Sequence, residues 1–383
     1  MIVYILMVLL SMLFCYFYER SDTKLKKRIF SILSFLPFFI VSGFRYGVGT
    51  DYLFRYAPDY LIIYEGGDVP NLEFIVKLII RICTSFTRDY TIFFLITSFI
   101  INALVFWGIY RYSKKPILSI LIYFINSTFF LSLNLVRQYI SSSFLFLAFL
   151  IYMFDNKNKK VLINSMILIV IACFFHTAAV LFIPIIFLNN KKNSNLILIV
   201  FSIIILIFGD SIVNYLLTLF TNLKFANFQK YSIYVNYGGN LPLSSLIVEL
   251  AIYIYFSYIY SKLDKSNKNT LKTANLFINI QWFVLLFTVS CSINELFIRL
   301  SSTLTIFQII SLPYFYNLSL NDKKLGFIFK KAFILIILLF VSRLIYSVPI
   351  KGSIGVLPYK TIYDRPQDIY SEINYIEYQY NRR

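Results

Sequence analysis

Four short polar segments interrupt the long hydrophobic stretches of this 383-residue chain. They read GFRYGVGTDYLFRY (43–56), NLVRQ (134–138), FFH (174–176) and NELFIRL (294–300). Three of these segments carry an arginine that we single out: Arg45, Arg137 and Arg299. A guanidinium presents its N–H donors as a planar fork that matches phosphate oxygens bidentately, and it is costly to bury without a partner. Three such arginines predict a site for a diphosphate group.

Neighbouring residues add groups that suit a sugar ligand. Tyr46 and Tyr52 can stack against sugar rings and hydrogen-bond their hydroxyls. Gln138 belongs to a polar stripe that recurs at helical spacing after Asn134, and such stripes normally face a cavity. Tyrosine and arginine are also ordinary anchors at a membrane surface, so a structural role competes with the functional one for each of them.

The segments also contain groups that can titrate. His176 is the one histidine of the chain, and a lone histidine in a membrane protein either packs structurally or moves a proton. Asp51 either caps a turn, pairs with Arg45 or takes part in chemistry. Glu249 lies inside a hydrophobic run, where an acid usually has a partner, and it is either a structural pairing or a substrate contact.

The elements that must position these residues are transmembrane helices. Hydrophobic residues make up 59% of the chain, charged residues 14%, and the mean hydropathy is +0.73, which excludes a soluble globular protein. Runs long enough to cross ~30 Å of hydrocarbon recur with short polar breaks, which predicts an all-α polytopic helical bundle. The predicted spans lie near 1–18, 28–44, 90–110, 116–133, 136–154, 161–175, 177–188, 194–210, 242–260, 273–290, 297–317 and 331–349. Two of these runs are short for a full span, so about ten to twelve helices are expected.

Clusters of lysine and arginine between the spans predict the orientation. They lie at 20–28, 111–115, 157–160, 191–192, 262–272 and 323–331. The positive-inside rule places these clusters in the cytoplasm, and the four polar segments then share the outer face of the membrane. The net charge of +18 is thus explained by topology and does not indicate a nucleic-acid partner.

The same map predicts the domain organisation. Residues 1–349 form one membrane domain with outer loops at 45–89 and 210–241, and residues 350–383 form an outer polar tail. Within the first loop, residues 72–88 carry their charges on one narrow helical stripe. This pattern predicts a helix that lies in the outer interface or re-enters the membrane.

Taken in order, these segments resemble the signatures of the EpsG family, a branch of the Wzy-type polysaccharide polymerases. The resemblance rests on RYGVGTDY, the later Glu73, NLVRQ, FFH, the arginine of FIRL and the late LPYK, and it covers nearly the whole chain. Tyr139 stands where family members usually carry a small residue. The resemblance implies a GT-C-like helical bundle that joins oligosaccharide repeat units carried on polyprenyl diphosphate. It places this reaction at the outer face of the bacterial cytoplasmic membrane, for an O-antigen, a capsule or an exopolysaccharide.

The implied reaction assigns roles to the residues above. Arginines would stabilise the diphosphate as it leaves the donor sugar, without a metal ion or another cofactor. His176, Asp51 and Glu73 are the three candidates for the base that accepts the proton of the acceptor hydroxyl. The lipid bilayer and the lipid-linked oligosaccharides are the expected partners, with a chain-length regulator and a flippase as protein partners.

Two other functions compete with polymerisation. A flippase for the same lipid-linked sugars would share the size and charge, but it needs polar residues through the midplane of the membrane. A ligase that moves finished glycan to another acceptor would share both the fold and the chemistry.

Overall fold

A computed structural model describes residues 1–70, 72–155, 158–187, 191–222, 239–264, 266–320, 326–352 and 354–366. Most of these residues are helical, and the described part of the chain contains no β-strand. The helices are long and apolar enough for a polytopic membrane protein, as the sequence predicts.

The α-helices of the described residues follow one another with short breaks along most of the chain. In order, they are α1 (Ile2–Arg20), α2 (Lys24–Gly43), α3 (Ala57–Tyr64), α4 (Phe74–Thr84), α5 (Thr91–Tyr112), α6 (Pro116–Ile125), α7 (Thr128–Asn134), α8 (Val136–Phe154), α9 (Lys159–Phe175), α10 (Asn195–Asn222), α11 (Leu243–Ser261), α12 (Lys268–Ser290), α13 (Leu296–Thr305), α14 (Gln308–Ser319) and α15 (Gly326–Ile345). Shorter helical pieces are the π-helical turns Tyr52–Tyr56 and Tyr346–Ile350 and the 3₁₀ segments Thr177–Phe187 and Ile362–Asp364.

Polar caps mark where several of these helices begin. The side chain of Thr23 accepts a hydrogen bond from the backbone N–H of Lys26 at 3.2 Å, and this cap precedes α2. Asn158 and Asn267 cap α9 and α12 in the same way, at 2.9 and 3.1 Å. Each cap satisfies one of the free N–H groups in the first turn of its helix. The three capping residues lie within the basic clusters, so the same polar segments that carry the lysines and arginines also contain the starts of helices.

All twelve predicted spans coincide with helical segments, but fewer of them qualify as membrane spans. By length and composition, six helices in the described residues can cross a membrane, or eight if α6–α7 and α13–α14, bent by 51° and 49°, each count as one span. The other four predicted spans fall on α2, α9, Thr177–Phe187 and the apolar part of α10. Lysines and arginines occupy the start of α2, and the other three segments are short against ~30 Å of hydrocarbon.

The chain divides into two compact units. The first contains Met1–Ala179 and the described residues from Leu344 onward. In it α1 packs on α2, α2 on α5, α5 on α8 and α8 on α9. Ser11 and Ser34 hydrogen-bond across the α1–α2 contact, where each hydroxyl donates to the other residue's carbonyl at 2.6 and 2.9 Å. Small polar residues of this kind let membrane helices approach closely.

The segment 354–365, which the sequence assigns to a polar tail, packs back onto the loop that follows α2. The N–H groups of Tyr46 and Gly49 donate to the carbonyls of Lys360 and Gly355 at 3.0 and 2.9 Å. The hydroxyl of Tyr4 on α1 donates to the Val356 carbonyl at 2.9 Å. This late segment therefore helps to hold the first polar motif in place. Residues 367–383 of the predicted tail lie outside the described residues.

The second unit contains Val180–Arg343. In this unit α12 packs against α10, α11 and α13, and α11 also packs against α14. The helix α10 continues to Asn222, into the region predicted as the outer loop 210–241. Residues 223–238 of that loop lie outside the described part of the chain.

Candidate functional site

The first predicted phosphate ligand, Arg45, is buried in protein. Its side chain is among the largest fully buried ones, with 1% of the residue exposed. The guanidinium donates hydrogen bonds to four oxygens: those of Val48 O (3.3 Å), Ser98 Oγ (3.2 Å), Leu133 O (3.2 Å) and Ser42 O. It also lies over the ring of Phe94, 4.8 Å from the ring centre. Its donors thus stabilise the loop after α2 from within, and its predicted contact with diphosphate stays a prediction.

The two tyrosines predicted to contact sugar are also buried. Tyr52 is fully buried and stacks on Phe94, with ring centres 3.9 Å apart and an angle of 8° between the rings. Tyr46 is 6% exposed and meets Tyr52 edge-on at 6.1 Å. Since neighbouring aromatic side chains occupy these rings, both residues belong to the packing of the first unit. Their predicted contact with sugar stays a prediction.

Glycine is required where this loop approaches α7. Gly49 has a φ of +95°, and a Cβ at this position would lie 2.7 Å from the carbonyl oxygen of Leu133. Only glycine combines that backbone conformation with such a close contact. The next residues then reach Asn134, whose Oδ1 accepts from Thr50 Oγ1 at 2.7 Å and from the Asp51 N–H at 2.8 Å.

These two hydrogen bonds join two of the predicted motifs, GFRYGVGTDYLFRY and NLVRQ. The side chain of Asn134 in NLVRQ holds the loop by these hydrogen bonds. Arg137, three residues later, therefore lies in the first turn of α8 close to this loop. Asp51 precedes the π-helical turn, and its half-buried side chain makes no capping hydrogen bond there. Its predicted catalytic role stays a prediction.

The centre of the candidate site is a cluster of Glu73, Arg137 and His176. Arg137 Nη1 forms an ion pair with Glu73 Oε2, and His176 Nδ1 lies 3.8 Å from Glu73 Oε1. The side chains are only partly accessible, with exposed fractions of 8% for Glu73, 12% for Arg137 and 18% for His176. One carboxylate therefore has an arginine on one oxygen and an imidazole near the other.

Three helix ends bring this cluster together. Glu73 directly precedes α4, Arg137 is the second residue of α8, and His176 directly follows α9. Because only four residues separate α8 from α9 and the two helices pack together, the start of α8 and the end of α9 lie at the same end of the pair. The helix α4 packs against α9, which carries Glu73 to that end.

The imidazole of His176 has its Nδ1 atom on the side of Glu73. Its Nδ1 is buried and makes no hydrogen bond with any part of the chain that the structure describes. The carboxylate oxygen at 3.8 Å is slightly beyond hydrogen-bond distance, and catalytic contacts are often this long before substrate binds. An imidazole can both accept and donate a proton, so His176 stays a candidate for the base.

A second acid of the site, Asp59, is not among the residues predicted from the sequence. It lies on α3 and is 6% exposed. Burial raises the pKa of its carboxyl, and the charges of Arg55 and Arg137 act in the opposite direction. One turn earlier, the Tyr56 hydroxyl accepts a hydrogen bond from the Arg137 N–H at 3.4 Å. The sequence signal was the spacing of Tyr52, Tyr56 and Asp59, which puts all three on one helical face.

The polar stripe of α8 faces protein in the described structure. Ser141 Oγ donates to the Ala172 carbonyl of α9 at 2.9 Å, and Ser142 Oγ donates to the Gln138 carbonyl at 2.8 Å. Gln138 itself is 4% exposed. Ser141 therefore joins α8 to α9, the helices that carry Arg137 and precede His176, whereas Ser142 bonds within α8.

Arg299, the third predicted phosphate ligand, belongs to the second unit. It lies on α13, is half-buried, and its carbonyl accepts a hydrogen bond from Thr303 Oγ1 at 2.9 Å. Its participation in the same site as Arg137 stays a prediction. Within the described residues, no group of three or more histidine, cysteine, aspartate or glutamate side chains is placed to hold a metal ion.

Comparison with known proteins identifies one family. The model of the EpsG family matches residues 28–361, a range that includes all four polar segments and the segment at 354–361 that packs on the first of them. No curated protein and no solved structure matches the chain.

Proposed function

Because this chain belongs to the EpsG family, we propose that it is a membrane glycosyltransferase that polymerises oligosaccharide repeat units carried on polyprenyl diphosphate. The observation that carries this proposal is the cluster of Glu73, Arg137 and His176. It combines a cation for a diphosphate with a base for a sugar hydroxyl, in a site of the described residues that needs no bound metal for either task.

The reaction forms one bond and breaks another. The acceptor hydroxyl oxygen attacks the anomeric carbon of the donor sugar, and the bond from that carbon to the diphosphate oxygen breaks. The diphosphate leaves with the electron pair, and the hydroxyl proton passes to the base. Arg137 would stabilise the negative charge that develops on the leaving group, through two N–H groups of its fork.

In the structure Arg137 is paired with Glu73. Diphosphate has more negative charge than one carboxylate, so substrate can replace Glu73 on the guanidinium. Glu73 then keeps its position beside His176, 3.8 Å away, where it stabilises the imidazolium that forms when the hydroxyl is deprotonated. We assign His176 as the base and Glu73 as the group that supports it, and Asp51 becomes the base to test if His176 fails.

The proposed side of the membrane follows from charge. The lysine and arginine clusters of the chain precede or end hydrophobic helices such as α2, α9 and α12, and they favour the cytoplasmic side. Arg137 and His176 lie at the ends of α8 and α9 that are opposite to the cluster at 157–160, and Glu73 lies beside them. We therefore propose that the site opens to the outer face of the cytoplasmic membrane and that the product is a surface polysaccharide.

Deleting the gene and restoring variants tests this function. Loss of the enzyme should leave single repeat units on the carrier lipid, wild type should restore long polymer, and Arg137→Lys should restore little because lysine keeps the charge but loses the fork. Arg111→Lys is the matched control, since Arg111 also pairs with a carboxylate, Asp155, at 3.0 Å but is 51% exposed.

Other results would identify another function. Repeat units that accumulate in the cytoplasm would indicate a flippase, and long polymer that is not transferred to its final acceptor would indicate a ligase. Full activity of Arg137→Lys would reject the assigned role of Arg137.

A further inference from the structure

Glu249 is the centre of a buried polar network in the second unit. It lies on α11 with 1% of the residue exposed. Its carboxylate accepts hydrogen bonds from three side chains on three other helices: Gln281 Nε2 of α12 (2.9 Å), Arg343 Nη1 of α15 (3.1 Å) and Gln308 Nε2 of α14. Gln308 Nε2 also lies 3.2 Å from Gln281 Oε1. One carboxylate thus joins four helices.

The network lies at a break in a helix. Gln308 is the first residue of α14, and it comes directly after the break that separates α14 from α13, where the two helices bend by 49°. At this break the backbone makes 3₁₀-type hydrogen bonds, from the Phe307 N–H to the Leu304 carbonyl at 3.1 Å and from the Ile309 N–H to the Ile306 carbonyl at 3.2 Å. Such short turns fix the direction less firmly than a continuous α-helix does, so side-chain contacts also set the angle. Hydrocarbon offers no other hydrogen-bond partner for a carboxylate or an amide, so losing these contacts is costly. They therefore constrain the angle between α13 and α14 strongly.

We infer that Glu249 is a positioning residue, which sets the angle of the α13–α14 break and thereby the place of Arg299 on α13. This inference rests on the proposed function and on the prediction from the sequence that Arg299 binds the diphosphate. Arg299 lies about 12 Å along the helix from the break, at ~1.5 Å per residue. A turn of only ~5° at the break would therefore move it by about 1 Å, a displacement that can lower an enzyme's rate by roughly 100-fold.

The position of α13 can be measured without activity. Ser301 Oγ of α13 and Thr288 Oγ1 of α12 lie 2.9 Å apart. In a protein without native cysteines, Ser301→Cys with Thr288→Cys should therefore form a disulfide readily under mild oxidation. The rate of that reaction reports where α13 stands relative to α12.

The first experiment compares this rate in three further variants. We expect Glu249→Gln and Gln308→Asn to slow disulfide formation several-fold, because each weakens the contact at the break. Gln308→Asn leaves the Glu249–Arg343 ion pair in place, so it remains informative if Glu249→Gln does not insert into the membrane.

Asn279→Ala is the matched control. Asn279 is fully buried on α12, but it bonds the segment before α10, where its amide donates to the Lys191 carbonyl at 2.8 Å. Unchanged rates in both test variants would overturn the inference.

The second experiment measures polymerisation. Glu249→Gln should lower kcat/KM by about 10- to 100-fold in the wild-type background and much less in an Arg299→Lys background, because both changes act on the same interaction. Equal losses in the two backgrounds would overturn the inference, since they would indicate a general effect on the fold. If Arg299→Lys is fully active while Glu249→Gln still slows the disulfide, the role of Glu249 at the break stands and the proposed role of Arg299 in diphosphate binding fails.

Discussion

Replacing Glu73 with glutamine should change substrate binding and turnover in opposite directions. Glu73→Gln keeps the size of the side chain and one oxygen acceptor, but it removes the negative charge that Arg137 and His176 share. Without a competing carboxylate, Arg137 becomes a better ligand for diphosphate, and lipid-linked substrate should bind more tightly. Without that carboxylate, the imidazolium of His176 is less stable, and turnover should fall.

The size of the loss in turnover follows from the geometry. Unit charges ~4 Å apart interact by about 4 kcal/mol at an effective dielectric constant of ~20, and His176 Nδ1 lies 3.8 Å from Glu73 Oε1. The exposed fractions of 18% and 8% mean that water screens part of this interaction, so we expect about half of it. About 2 kcal/mol corresponds to a roughly 30-fold lower kcat, and the unscreened value to roughly 1,000-fold.

The assay uses purified protein in lipid nanodiscs with a lipid-linked repeat unit as substrate. Single-turnover rates give the chemical step, and binding of polyprenyl diphosphate alone gives the affinity, which we expect to rise about 10-fold if ~1.4 kcal/mol of competition is removed. Asp155→Asn is the matched control, because Asp155 pairs with the exposed Arg111 and should affect neither quantity. Weaker binding in Glu73→Gln would refute the competition between carboxylate and diphosphate. An unchanged rate would refute the support of His176 by Glu73.

Three further predictions concern topology, packing and pH. In a background without native cysteines, an impermeant thiol reagent added outside should label Glu65→Cys and spare Lys159→Cys, both exposed positions; the reverse labelling would overturn the proposed orientation. Gly49→Ala should lower the thermal unfolding temperature much more than Gly66→Ala, because both residues have a positive φ but only Gly49 has a carbonyl of α7 2.7 Å from the added Cβ. Equal losses would show that the close contact does not matter. Burial raises the pKa of Asp59, so ionisation of this carboxyl above the unfolded pKa of ~3.9 destabilises the folded state. Asp59→Asn should therefore stabilise the protein at pH 7 and have little effect near pH 3, where the carboxyl is protonated. Destabilisation at pH 7 would show that the folded state needs the charged form.

The architecture could be predicted because the membrane acts on local properties of the chain. Each hydrophobic run must satisfy its backbone hydrogen bonds internally, so helices form wherever the predicted spans lie. The number of full spans was less predictable. Composition does not show that α6–α7 and α13–α14 are bent or that Thr177–Phe187 is a 3₁₀ segment, since these features depend on packing.

The sequence predicted which residues belong to the candidate site better than it predicted which of them contact each other. Arg45 and Arg137 both stand in polar motifs beside hydrophobic runs, and nothing local distinguishes them. In the structure Arg45 is surrounded by carbonyls and aromatic rings, while Arg137 meets the acid Glu73. The carboxylate near His176 belongs to Glu73, which directly precedes α4, whereas the sequence named His176, Asp51 and Glu73 only as alternative candidates for the base.

By itself, the sequence determined that this is an all-α membrane protein of the EpsG family. Hydrophobicity, charge clusters and short motifs are properties of contiguous residues, so they can be read without the fold. Only the tertiary structure decided that Glu73 lies between Arg137 and His176, that Arg45, Tyr46 and Tyr52 are buried, and that the segment at 354–365 packs on the first loop. Each of these is a contact between residues far apart in the chain, and its existence depends on how helices meet, which no local pattern encodes.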